Sequence, residues 1–162
     1  MIKIGIIGGG FMGKMHANCY RSLQNIRVVG VSDIRQDKAK EIANLTGARV
    51  FGNEDELINN KEIDAIGVFL PTHLHKELVI KFAQAKKHIF CEKPFALTVK
   101  DAEEMTKETE KAKVKLMIGM ENHLVKKFAP VKIERLLTDG GTEFTTWHEE
   151  AAPNHEFLED LP

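Results

Sequence analysis

Cysteine, net charge and long apolar runs are all scarce in this sequence. Its 162 residues include two cysteines, Cys19 and Cys91. They stand far apart, in neither a CxxC nor a metal-ligand spacing, so neither a disulfide framework nor a thiolate metal site is expected. Both fall in apolar segments and read as buried free thiols, which makes a reducing cytoplasm the default location. Lysine and arginine number 23 against 24 aspartate and glutamate, for a net charge of -1. Bulk charge of that size holds neither nucleic acid nor a membrane surface. No stretch reaches the length of about eighteen apolar residues that a membrane span needs. The apolar start Met1–Gly10 lacks the long core and small-residue cleavage site of a signal peptide. Internal repeats and low-complexity segments are missing as well. What remains, 43% hydrophobic and 29% charged residues, is the composition of one soluble globular domain.

Within that domain, short β-branched runs alternate with helical spacing. Strands are expected at 2–7, 27–32, 49–51, 63–70, 88–91 and 115–120. Helices are expected at 12–24, 36–46, 54–60, 74–86, from Thr98 onward, and at 129–138. Gly47 sits where a helix C-cap belongs, and Thr98 with Asp101 forms an N-terminal cap. Leu78, Phe82 and Ala85 form an apolar stripe on the fourth helix. Strands and helices in alternation imply an α/β, doubly wound parallel sheet, joined by right-handed crossovers in the order 3-2-1-4-5-6. Residues 1–138 therefore read as one Rossmann domain, and 139–162 as an irregular acidic tail too short to bury a core of its own.

The chemistry begins at Gly8-Gly9-Gly10-Phe11-Met12-Gly13, a GxGxxG between a predicted strand and a predicted helix. Gly8 permits the tight turn, Gly10 lets the backbone approach a pyrophosphate, and Gly13 lets the helix pack closely on the strand. Free N–H groups at the helix start face the anion. Phe11 and Met12 line the cleft or pack at the helix start. Asp33, about twenty residues past Gly13, ends the second strand where an acid binds the adenosine ribose diol. A carboxylate there favours NAD over NADP, although Arg35 could receive a 2′-phosphate and keeps NADP open. A methyltransferase also uses a glycine turn and a strand-two acid, but the GxGxxG spacing counts against one.

A fifth strand ending in Glu92-Lys93-Pro94, after these two signals, resembles the Gfo/Idh/MocA oxidoreductases. His16, Pro71-Thr72-His73-Leu74-His75 and Lys127-Phe128-Ala129-Pro130 are similar to the same family, the last with Lys in place of Arg. The resemblance implies an NAD(P)-dependent oxidoreductase acting on a sugar, cyclitol or related polyol. It implies that Lys93 reaches the substrate hydroxyl near the nicotinamide, and that the Lys93–Pro94 bond is cis and aims the lysine into the cleft. Partial desolvation would suit Lys93 to proton removal.

Glu92 is expected near the nicotinamide ribose or as a solvated turn carboxylate. Pro71, Thr72 and His75 lie on the loop after strand four, where ligands bind; His75 contacts a ligand or caps the next helix. Asn122 contacts the nicotinamide end or is a loop residue, and His16 packs. Complete family members carry a second α/β domain that supplies most of the substrate pocket, and this sequence is not expected to encode it. Two classes stay open: an oxidoreductase, truncated or working with a companion chain, and a silent dinucleotide-binding module. Apolar surface left uncovered would favour a homo-oligomer.

Overall fold

The computed structural model describes residues 1–119. Asn122, the Lys127–Pro130 motif, the helix expected at 129–138 and the tail at 139–162 lie outside the described residues. Six strands alternate with five α-helices: β1 (Ile2–Ile7), α1 (Phe11–Ser22), β2 (Ile26–Ser32), α2 (Gln36–Thr46), β3 (Arg49–Val50), α3 (Glu54–Asn59), β4 (Ala65–Val68), α4 (His75–Gln84), β5 (His88–Cys91), α5 (Val99–Ala112) and β6 (Leu116–Ile118). A single 3₁₀ turn, Thr72–Leu74, precedes α4. All pairings are parallel and the order is β3-β2-β1-β4-β5-β6, as the alternation of elements requires.

Helices cover both faces of the sheet. Ile4 and Ile6 of β1 face a core shared with Ala17, Tyr20, Ala39 and Ile42 of α1 and α2. Ile7 points the other way, into the core of Leu78, Val79, Phe82 and Met105 on α4 and α5. Period-two side-chain alternation divides β1 between the two layers, and burial on both faces explains why its sequence reads as a continuous apolar run. On α4 the stripe is Leu78, Val79, Phe82 and Ala83, whereas Ala85 is only half-buried and ends up as the helix C-cap.

Caps follow the sequence closely. Gly47 ends α2 in the left-handed region with φ 74°. The Thr98 hydroxyl oxygen accepts the Asp101 N–H at the start of α5 and its O–H donates to the Asp101 carboxylate. The strand expected at 63–70 is shorter, because Ile63 precedes the paired register and the chain turns away after Val68. Strand three stops at Val50 instead of 51, and Phe51 turns its ring into the core under Gly30. Both thiols are free, but only Cys91 is buried; Cys19, near the end of α1, is half-buried.

Gly8 leaves β1 with φ +96°, and a Cβ there would collide with the Phe69 carbonyl that follows β4. Left-handed backbone and steric contact act together at this position. Gly8→Ala is expected to lower stability by about 1–3 kcal/mol, read as a fall in the urea midpoint at unchanged slope. A midpoint equal to the wild type would show that neither constraint operates.

Candidate cofactor site

Because every strand runs the same way, the segments after β1, β2, β4 and β5 meet at one edge of the sheet. These are Gly8–Gly13, Asp33–Arg35, Leu70–His75 and Glu92–Pro94. The order reverses between β1 and β4, which places the crevice of a doubly wound sheet at the glycine turn.

The three motif glycines have different reasons to be glycine. Gly8 needs its backbone conformation, and a Cβ on Gly13 would collide with the Gly8 carbonyl, so α1 starts hard against the end of β1. At Gly10 a Cβ would meet nothing within 4 Å. The fold itself therefore makes no steric demand for glycine at 10, and the space a side chain would fill lies open at the start of α1. Gly10 is also the N-cap of α1 and brings no side chain to its orphan N–H groups. Among the described α-helices, α1 alone has no acidic residue in its first turn. An uncapped, acid-free helix start beside an open cradle suits a bound anion such as a pyrophosphate.

Asp33 follows β2 and is half-buried. Its Oδ2 accepts the Gly9 N–H at 2.6 Å, and its Oδ1 accepts the Arg35 N–H at 2.7 Å. The carboxylate thus ties the glycine turn to the start of α2. A Cβ on Gly9 would come within 2.9 Å of the Lys38 backbone, so the turn also rests on α2. Arg35, the N-cap of α2, is exposed, and Ile34 beside it is 99% exposed. Phe11 is 83% exposed at the turn, whereas Met12 packs against the α1–α2 core.

On the loop after β4, Pro71 is exposed and Thr72 half-buried, with the Pro71 carbonyl accepting the Leu74 N–H. His75 is fully buried, its Nε2 2.7 Å from the Leu70 carbonyl oxygen and its Nδ1 3.2 Å from that of Phe95. Its ring braces this loop against the segment after β5, and it does not cap α4, whose N-cap is Leu74.

For Glu92 the structure removes one of the two expected roles. It is buried, with Oε1 3.0 Å from His16 Nε2 and Oε2 accepting the Lys93 N–H at 2.9 Å. It is not a solvated turn carboxylate. The Lys93–Pro94 peptide is cis, as expected. Lys93 itself is exposed; the packing of the described residues does not desolvate it, because the turn carries it beyond the end of β5. The His16–Glu92 contact was not expected from sequence, where His16 is read as packing alone. Its spacing three residues after Gly13 was the available signal. Among the described residues no group of three or more His, Cys, Asp or Glu side chains could hold a metal ion. No described helix is long and apolar enough to cross a membrane.

A six-stranded parallel sheet in this order, with a glycine turn and an acid at its switch point, defines a dinucleotide-binding Rossmann domain. The family model described as an oxidoreductase family with an NAD-binding Rossmann fold matches residues 2–120, and the chain belongs to that family, Gfo/Idh/MocA. It is 36% identical over 132 residues to the myo-inositol 2-dehydrogenase of Thermotoga maritima, covering 81% of this chain and 40% of that protein. It is 35% identical over 141 residues to the 2,7-anhydro-N-acetylneuraminate hydratase of Escherichia coli, covering 87% of this chain and 37% of that one. An NAD binding oxidoreductase from Klebsiella pneumoniae superposes with a TM-score of 0.68 at 33% identity, over 73% of this chain and 34% of that chain. The chain thus spans about 40% of the length of the Thermotoga maritima relative.

The open space at Gly10 separates folding from binding. Gly10→Ala should leave stability within about 1 kcal/mol of the wild type, the scale of an N-cap change. Gly10→Val should stay folded and lose NADH binding, followed by nicotinamide fluorescence. Undiminished affinity in a folded Gly10→Val protein would remove the pyrophosphate from this turn.

Proposed function

We propose that this chain is the cofactor-binding part of an oxidoreductase that moves hydride between a polyol or sugar carbon and nicotinamide. The observation that carries this reading is the meeting, at one sheet edge, of an open acid-free helix start, Asp33 and Lys93. Gly8, Gly10, Phe11, Met12 and Gly13 would hold the pyrophosphate and its flank, Asp33 and Arg35 the adenosine ribose. Pro71, Thr72, Glu92 and Lys93 would border the nicotinamide end, with His75 bracing the loop beneath them. Bound there, the nicotinamide supplies the hydride chemistry.

Lys93 acts at the substrate hydroxyl. In its uncharged form Nζ can take the hydroxyl proton as the carbon is oxidised, and in its charged form it can return a proton to a carbonyl oxygen. The lysine is exposed, so this reading assigns the exclusion of water around it to parts of the protein beyond the described residues or to a companion chain. That exposure also favours a second reading, a dinucleotide-binding module without turnover. Assaying NAD reduction with a panel of cyclitols and sugars, for the wild type and Lys93→Met, decides between them. The enzyme reading expects turnover that Lys93→Met abolishes while NAD affinity stays within roughly tenfold, the worth of one lost hydrogen bond. No turnover on any polyol despite NAD binding supports the silent module.

NAD is the expected dinucleotide. Asp33→Ala removes the ribose acceptor and also the anchor of the Gly9 N–H, so NAD affinity should fall by roughly tenfold or more. The advantage of NAD over NADP should narrow as well. A wild type that already prefers NADP would mean that Arg35 outweighs Asp33. The half-buried edge strand β6 suits self-association, which light scattering would reveal as a dimer; a monomer at high concentration argues against it.

A further inference from the structure

We propose that His16 and Glu92 are positioning residues for Lys93, forming a buried link between the helix that starts at the glycine turn and the peptide that carries the lysine. The inference rests on the reading of Lys93 given above.

His16 lies on α1 one turn past Gly13 and is 3% exposed. Its ring is stacked on Phe69 with centroids 4.4 Å apart and planes at 16°, and it is flanked by Phe90 at 4.9 Å and Tyr20 at 5.9 Å. In this aromatic box its one polar contact among the described residues is Nε2 to Glu92 Oε1, because Nδ1 is buried without a hydrogen-bond partner among them. A carboxylate only accepts, so Nε2–H is the donor. The other carboxylate oxygen accepts the Lys93 N–H at 2.9 Å. Gly119, after β6, lies close to the same oxygen, since a Cβ on it would come within 3.0 Å of Glu92 Oε1. The Glu92 carboxylate is thus held on one oxygen by α1 and holds with the other the peptide N–H of Lys93.

Packing alone does not explain a polar pair here. Desolvating a histidine and a carboxylate is costly, and apolar side chains of similar volume in such positions are often neutral or stabilising. The rings of Phe69, Phe90 and Tyr20 make no demand for a polar atom at 16. What a phenyl ring cannot do is hold the carboxylate that holds Lys93. Any ligand seated at the start of α1 therefore bears on the helix that fixes the lysine's peptide.

Two substitutions separate the roles. His16→Phe keeps the aromatic packing and removes the donor, whereas His16→Gln loses the ring but places an amide N–H where Nε2 stood. The readout is the Lys93 backbone amide in ¹H–¹⁵N spectra of the full chain, with and without NAD. In the wild type this amide should lie downfield, as a bond to a carboxylate demands, and should move with Gly10 when NAD is added. In His16→Phe it should shift upfield and exchange with solvent about tenfold faster, the equivalent of one hydrogen bond. Its response to NAD should be lost while that of Gly10 remains. His16→Gln should restore the wild-type position.

The reverse pattern, with His16→Phe like the wild type and His16→Gln disturbed, would mean that His16 is only packing and would overturn the proposal. If His16→Phe does not fold, His16→Leu takes its place with the same expectations. NAD that moves neither Gly10 nor Lys93 in the wild type would instead refute the cofactor reading, and the inference with it.

Discussion

Everything at the ligand edge hangs on the contact between Gly13 and the carbonyl of Gly8. With only a hydrogen on Gly13, α1 begins directly against the end of β1, and a methyl group there would force the helix off the sheet. That contact fixes the direction of α1, and three consequences follow from the direction. The bare N–H groups at Gly10–Met12 point along the edge where the strand order reverses. The turn lies against α2, close enough for Asp33 to take the Gly9 N–H. One helical turn on, His16 falls between Phe69 and Phe90, within reach of Glu92.

Three of the buried polar groups in this domain, Lys87, His75 and Glu92, contact backbone groups, and they sit where loops must be held. Lys87 is buried, and its ammonium donates to the carbonyls of Asn60 and Ile63 at the opposite end of the sheet. Burial pushes that ammonium below the ordinary lysine range, while the charge of Asp64 works in the other direction. His75 ties the loop after β4 to the segment after β5, and Glu92 holds the peptide of Lys93. Each would be costly in an apolar core without a partner. Lys93 is the contrast, a charged side chain left in the open between two braced segments. The scaffold around it is rigidified, and the group itself is left available.

The fold was legible in the sequence because its signals are local and repeated. β-Branched runs, a glycine at the α2 C-cap, a threonine–aspartate cap and a glycine turn each constrain a few consecutive residues, and six strands alternating with five helices leave one common topology. The ends of β3 and β4 were misjudged because apolarity continues past the paired register; Phe51 and Phe69 stay buried after their strands have ended. The site was legible where a residue type serves backbone geometry, as at Gly8, Gly13 and Pro94. It was not legible where the role comes from a contact across 76 residues of chain, as between His16 and Glu92. Nothing in local spacing distinguishes a histidine that packs from one that packs and also holds a carboxylate. For the same reason His75 reads as a ligand contact or a helix cap in sequence, and only its burial between two carbonyls gives it the bracing role.

The NAD preference proposed for this chain would have, in Asp33, a structural reason beyond simple repulsion. A carboxylate with both oxygens engaged by the Gly9 and Arg35 N–H groups cannot swing aside without releasing them. Each oxygen keeps a second lone pair, so a ribose diol can be added without breaking either bond. A 2′-phosphate brings no proton to share and adds negative charge beside a fixed one. To make room, Asp33 would have to give up the bond that shapes the glycine turn, where the pyrophosphate itself must sit. Arg35 could offset the charge, because its exposed side chain is free to turn while its N–H stays bonded. It cannot replace the anchor at Gly9. On the proposed reading, discrimination at the ribose and affinity at the pyrophosphate share one residue, and a change that relaxes the first weakens the second.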